Sequence, residues 1–225
     1  MNNKTAILIF ANTAKFEAAQ KPFQSSEVLF DAFNAQTLKI VERAGLPYFH
    51  SSEKNQIGST FGERFTNAIQ SVYEKGFDTI IAIGNDTPHL QTKHILKAVQ
   101  QLEQNDVVLG PSKDGGFYLM GLKQSNFNVE TFLKLPWQTS RLNQSISRLI
   151  RSKKVNLYYL ETLSDIDKTS DIKAIMNRFE RISNDLKQLL KTYISIEKRI
   201  YYTSINLVSI LSRDTYFNKG SPSLV

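Results

Sequence analysis

The chain has 225 residues, 41% hydrophobic and 22% charged, which excludes a largely disordered protein and suffices for one full domain with a sizeable core. It contains no cysteine, which excludes disulfides, thiolate metal sites and cysteine nucleophiles and fits a reducing compartment. The formal charge is +7, but residues 171–225 hold nine Lys/Arg against five Asp/Glu, so the first 170 residues are close to balanced and no nucleic-acid partner is indicated.

The first element is Ala6-Ile7-Leu8-Ile9-Phe10-Ala11, a continuous apolar run of the kind found in strands buried on both faces. It is shorter than the apolar region of a secretory signal, about 7–15 residues, so a cytoplasmic protein is expected. Ser25 or Ser26 can cap a helix running to Arg43, with Leu29, Phe30, Phe33, Ile40 and Val41 on one side and Gly45 at its end. Leu46 to His50 reads as a second strand. Phe61, Phe65, Ile69 and Val72 fall at helical spacing, and Gly76 closes that helix. Thr79 to Ile83 is another buried strand, ended by Gly84. A helix from about Thr92 to Glu103, a strand Val107 to Leu109 and a strand Phe117 to Leu122 follow, then a helix Gln138 to Ser152 and a strand Val155 to Leu160.

Strands alternating with helices imply a mostly parallel sheet with helices on both faces over residues 1–170. In such sheets ligands bind outside the carboxyl ends of strands, where Gly84-Asn85-Asp86-Thr87-Pro88 lies. From Asp171 the pattern becomes one long amphipathic helix carrying Ile172, Ile175, Met176, Phe179, Ile182, Leu186, Leu189 and Tyr193. It reads either as a helix packed on the domain's flank or as a partner surface, such as that of a homodimer. The extension is expected to span residues 171–212, with a flexible tail at 213–225. Ile200 to Leu211 is interrupted by Thr203, Ser204, Asn206 and Ser209, and is well short of the roughly 20 apolar residues that span a bilayer.

Asp86 follows a buried strand and precedes Thr87-Pro88; proline keeps the preceding residue extended and shapes a tight exit turn. A carboxylate there either meets a hard cation such as Mg²⁺ or accepts hydrogen bonds within the turn. Asp114-Gly115-Gly116 lies between two core strands, where the glycines either form a hairpin turn or let a ligand approach the backbone. In Asp165-Ile166-Asp167 one carboxylate either joins Asp86 on a metal or caps the next helix. Arg64, near the start of its helix, suits phosphate recognition or a surface ion pair. Trp137, the only tryptophan, is either a core plug or one wall of an acceptor pocket. His50, His89 and His94 lack metal-ligand spacing.

Taken in order, Gly58-Ser59-Thr60-Phe61-Gly62-Glu63-Arg64, Ile83 to Pro88, Val107 to Leu122, Trp137-Gln138-Thr139 and Asp165-Ile166-Asp167 resemble the successive blocks of one bacterial family. It is the small glycosyltransferase-like family that includes arsenosugar-biosynthesis glycosyltransferases. That family belongs to the GT-A nucleotide-diphospho-sugar transferase superfamily and is similar to the guanylyltransferases of molybdenum-cofactor and 2-phospholactate metabolism. The resemblance covers roughly residues 5–175 and implies a Rossmann-like three-layer α/β/α GT-A fold. It also implies transfer from a nucleotide-activated donor with Mg²⁺ or Mn²⁺. On that basis Asp86 is the metal carboxylate, with Asp167 a second ligand, and Asp114 is the catalytic residue facing the acceptor. Lys15, Arg64, Asn85, Gly115, Gly116 and Trp137 then contact donor or acceptor.

The segment from Phe10 to Pro22 departs from the family's glycine-containing phosphate loop: it has no glycine, and Lys15 and Lys21 are its only cations. Three functions are therefore carried forward: glycosyl-type transfer, nucleotidyl transfer, and a non-catalytic binding protein with a degenerate donor loop.

Overall fold

A computed structural model describes residues 4–20, 26–152, 155–166 and 169–176, with scattered positions between 182 and 195. The strands β1 (Thr5–Phe10), β2 (Tyr48–Ser51), β3 (Thr79–Ile83), β4 (Val107–Pro111), β5 (Phe117–Lys123) and β6 (Leu157–Tyr159) form one sheet in the order β2-β1-β3-β5-β4-β6. The helices are α1 (Ala14–Gln20), α2 (Ser26–Glu42), α3 (Phe61–Tyr73), α4 (Thr92–Leu102), α5 (Val129–Leu133), α6 (Leu142–Ser152) and α7 (Thr169–Met176).

Alternation along the central strands sends side chains to two separate cores. Ala6 and Leu8 of β1, with Ile80 and Ala82 of β3, pack under Phe65, Ile69 and Val72 of α3 and Ile146 and Ile150 of α6. Ile7, Ile9, Ile81 and Ile83 point the other way, toward Ile40 and Val41 of α2 and Ile95 and Ala98 of α4. The result is the expected α/β/α sandwich, which is why β1 and β3 read as unbroken apolar runs. At α3 the Thr60 side chain accepts the Glu63 amide while the Glu63 carboxylate accepts the Thr60 and Ser59 amides, so the helix start is fixed. Gly45, at φ 68, follows α2 as a left-handed stop.

The sheet is mixed. β1 runs parallel to β2 and β3, and β4 parallel to β6, but β5 is antiparallel to both β3 and β4. The cause is the turn Ser112 to Gly116, too short to carry a crossover, so β4 and β5 must form a hairpin. The Asp-Gly turn thus takes the hairpin alternative. Helix α6 begins at Leu142, four residues after the expected Gln138, because Gln138 itself has φ 57 and cannot enter a helix. The segment after β1, expected as a loop, is instead helix α1 with Thr13 as its cap.

Ile172, Leu186 and Leu190 are buried with Leu29, Phe30 and Phe33 of α2 and Ile166. The start of the expected C-terminal extension therefore packs on this layer. The rest of that extension, the tail at 213–225, Lys21 and Asp167 lie outside the described residues. Among the described residues no helix is long and apolar enough to cross a membrane.

Candidate functional site

The parallel pair β1 and β3 ends in a cleft of about 200 Å³ lined by Phe10, Ala11 and Asn12 on one side and Gly84, Asn85 and Asp86 on the other. This is the strand-end position at which ligands bind in open α/β sheets. Asn85 is turned inward and buried; its Nδ2 donates to Asn34 Oδ1 of α2 at 2.7 Å, which pins the turn to the layer behind it. Asp86 is half-buried and faces the cleft.

The segment after β6 returns to this turn. Ile166 donates its amide to the Asp86 carbonyl at 2.9 Å, and the Thr87 hydroxyl donates to Asp165 Oδ1 at 2.7 Å. Asp165 is thereby held against Asp86. Burial and the Asp86 charge push its carboxyl up to about 7, with Asp114 adding to the rise while bonds from Thr87 and Ser112 oppose it. A carboxyl raised by burial and by a neighbouring charge is a common mark of a functional site.

Asp114 stands near Asp165 but is not among the residues that line the cleft. It is exposed, and its Oδ1 accepts from the Ser112 hydroxyl at 2.5 Å and the Gly116 amide at 2.9 Å. The hairpin is tied to the segment that carries Asp165 by backbone bonds, Lys113 donating to the Leu163 carbonyl at 3.2 Å and Leu163 to the Pro111 carbonyl at 3.1 Å. The double glycine has a packing reason. Gly115 sits at φ 95, and a Cβ there would run into the Ser140 carbonyl oxygen. Its own carbonyl accepts the Asn143 amide at 3.0 Å. Gly115 serves the junction between hairpin and α6, and Gly116 supplies the amide that fixes Asp114.

The opposite wall is aromatic: Phe10, Phe61, Phe65 and Phe117 line the cleft, with Arg64 beside them. The Arg64 guanidinium donates to the Ser59 carbonyl at 3.1 Å. Trp137 does not line the cleft. It stands behind Phe61, Phe65 and Phe117 with ring centroids 5.2–6.2 Å away, and its Nε1–H donates to the Phe132 carbonyl at 2.7 Å. Gly62 is glycine because any Cβ there would strike that indole. Trp137 is the plug that seats the aromatic wall.

The side of the cleft that leads into α1 is acidic. Lys15 is exposed on α1 and outside the cleft, whereas Glu17 lines it, accepting from Asn12 Nδ2 at 2.8 Å. The Thr13 amide and hydroxyl donate to Glu53 at 2.7 and 2.6 Å. Burial pushes the Glu53 carboxyl up, but these Thr13 bonds outweigh it and hold it below the usual range. A protein carboxylate thus occupies the start of α1.

The structure brings Asp86, Asn85 and Arg64 to one cleft, leaves Asp114 outside its lining near Asp165, and adds three residues not marked as site residues in the sequence: Glu17 in the cleft, Asp165 at the Asp86 turn and Glu53 on Thr13. Asp165 was visible as an alternative within its triplet, but Glu53 carries no local signal. Two carboxylates held against each other suit a hard dication that takes oxygen ligands. Among the described residues no cluster of three or more His, Asp or Glu could hold a metal on protein ligands alone. His94 is separately engaged: Nδ1 accepts the Gln91 amide at 3.0 Å and Nε2 meets Glu161 at 2.7 Å.

The chain belongs to the family described as "Uncharacterized protein conserved in bacteria (DUF2064)", whose model matches residues 16–139, more than half its length. It is similar to a crystal structure described as a "putative nucleotide-diphospho-sugar transferase" from Desulfovibrio desulfuricans G20, with TM-score 0.75, 21% identity, and coverage of 88% of this chain and 98% of that one. It is also similar to 4-diphosphocytidyl-2C-methyl-D-erythritol synthase from Anaerococcus prevotii DSM 20548, with TM-score 0.50, 10% identity, and coverage of 85% and 98%. At these identities the likeness establishes the nucleotide-diphospho-sugar transferase type of fold and no more. No curated protein matches this chain.

Proposed function

We propose that this chain transfers a group, most simply a glycosyl unit, from a nucleotide-diphosphate-activated donor in the cleft between β1 and β3. The observation that carries it is the Asp86–Asp165 pair at the carboxyl end of β3, where burial and charge raise Asp165 to about 7. These two carboxylates would hold Mg²⁺ or Mn²⁺, with Asp165 in the place expected for Asp167. The cation, when bound, supplies neutralisation of the departing diphosphate. Arg64 lines the same cleft as Asp86 and adds a second positive charge toward phosphate oxygens. The aromatic wall of Phe61 and Phe117 excludes water on the side where a sugar or base would stack. Asp114 would take the proton of an acceptor hydroxyl, and Ser112 keeps its carboxylate aimed.

A second reading, a binding protein that no longer turns a donor over, is favoured by one observation: Glu53 takes the Thr13 amide and hydroxyl on the donor-loop side. Thermal unfolding with UDP-, GDP- and CDP-linked donors plus Mn²⁺ separates the two, because a ligand that binds only the folded state raises the melting temperature. The transferase reading expects a rise with one donor class that needs Mn²⁺ and disappears in Asp86→Asn. It is abandoned if no donor shifts the transition and Mn²⁺ affects wild type and Asp86→Asn alike.

A further inference from the structure

The cleft leaves unexplained a second cavity, of about 300 Å³, at the other end of the same strands. Val107 opens β4 and pairs with Leu122 near the end of β5, whereas the cleft takes Phe117 at the start of β5. The two sites adjoin in the middle of the sheet, where Met120 lines the cavity and its β3 partner Ala82 lines the cleft. Met120 and Leu122 form the floor of this cavity, Phe132 of α5 one wall, and Ile146 and Ile150 of α6 the other.

Protein interiors rarely leave a void larger than a water molecule. The cavity is open to solvent on one side, and its lining mixes these apolar side chains with the polar Ser125, Asn126, Asn128 and Thr131. These polar side chains are largely engaged with one another. Asn128 Oδ1 accepts the amide and hydroxyl of Thr131 at 2.9 and 2.7 Å, capping α5, and Asn126 Nδ2 donates to the Ser125 hydroxyl at 3.2 Å. The cap fixes α5, so the wall it carries cannot simply fall inward.

We infer that this cavity is a binding site for a small amphipathic molecule, with an apolar part of about ten carbon atoms on Met120, Leu122, Phe132, Ile146 and Ile150 and its polar end on Ser125 and Asn126. The site does not depend on the transferase reading. It is nevertheless joined to the cleft by packed rings: Phe132 lines the cavity and accepts the Trp137 indole N–H, and Trp137 packs on Phe61, Phe65 and Phe117 of the cleft wall. Trp137, the only tryptophan, is therefore a built-in reporter of occupancy.

The test is titration of the full chain with 1-octanol, followed by calorimetry and by Trp137 fluorescence. Saturable binding with a coincident fluorescence change is expected, and Asp86→Asn should bind like wild type. Leu149→Phe and Val155→Phe each add a ring to the cavity lining and should weaken binding on the order of tenfold or more without lowering the melting temperature. If one of them fails to fold, the other decides. Absence of saturable binding up to the solubility limit overturns the proposal, as does wild-type affinity in the filled variants, because the alcohol would then sit elsewhere.

Discussion

Replacing Asp165 by asparagine tests the electrostatics of the candidate site directly. With its carboxyl raised to about 7, the folded protein keeps a proton that the unfolded chain releases near pH 4. A raised carboxyl favours folding fully below its unfolded pKa, and that contribution is lost as pH rises through the folded value. Between these limits stability falls by about 1.4 kcal/mol per pH unit, so about 3 kcal/mol disappears between roughly pH 5 and 8. The coupling to Asp86 makes this an upper figure. For a chain of this size it corresponds to about 6–12 °C in melting temperature. The amide introduced by Asp165→Asn can still accept from Thr87 but carries no charge, so the variant should be about as stable as wild type near pH 5 and clearly more stable near pH 8. The assay is thermal or denaturant unfolding of both proteins across that range, read as the difference curve, which cancels every other titrating group. Saturating Mn²⁺ should narrow the gap at the alkaline end by stabilising only the wild type. A flat difference curve would refute the placement of Asp165 against Asp86.

Three further outcomes follow from the geometry. Gly115→Ala forces a side chain into a left-handed backbone and onto the Ser140 carbonyl, and should cost about 2–4 kcal/mol in denaturant unfolding; a loss under about 0.5 kcal/mol would show that the hairpin can shift. Trp137→Ala empties the space behind the aromatic wall and should cost about 3–5 kcal/mol in the same assay. His94 is buried, which holds its ring below the usual imidazole range despite Glu161 and with Lys93 assisting, while the His94 bond holds Glu161 below the usual carboxylate range. Both groups favour folding above their unfolded pKa values and lose that contribution as pH falls, so His94→Gln should flatten the acid limb of the stability curve below about pH 6.5. An unchanged acid limb would rule out this pair as its source.

The local pattern of the chain carries the layers of the fold. Unbroken apolar runs at β1 and β3 require burial on both faces, Gly45 and Gly76 mark helix ends, and Asp86 falls at a strand's carboxyl end by position alone. The antiparallel placement of β5 was legible in principle, because Ser112 to Gly116 is too short for a crossover. The composition of the site was not. Asp165 meets the Asp86 turn through a bond from Thr87 that spans 78 positions, and Glu53 closes on Thr13 across 40. Such pairings depend on where the sheet sets strand ends beside each other, and no spacing rule within one segment encodes them. The two acidic turns are therefore a property of the sequence. Their union through the segment after β6, and the carboxylate at the start of α1, exist only in the folded protein, where burial and proximity give charges their energies.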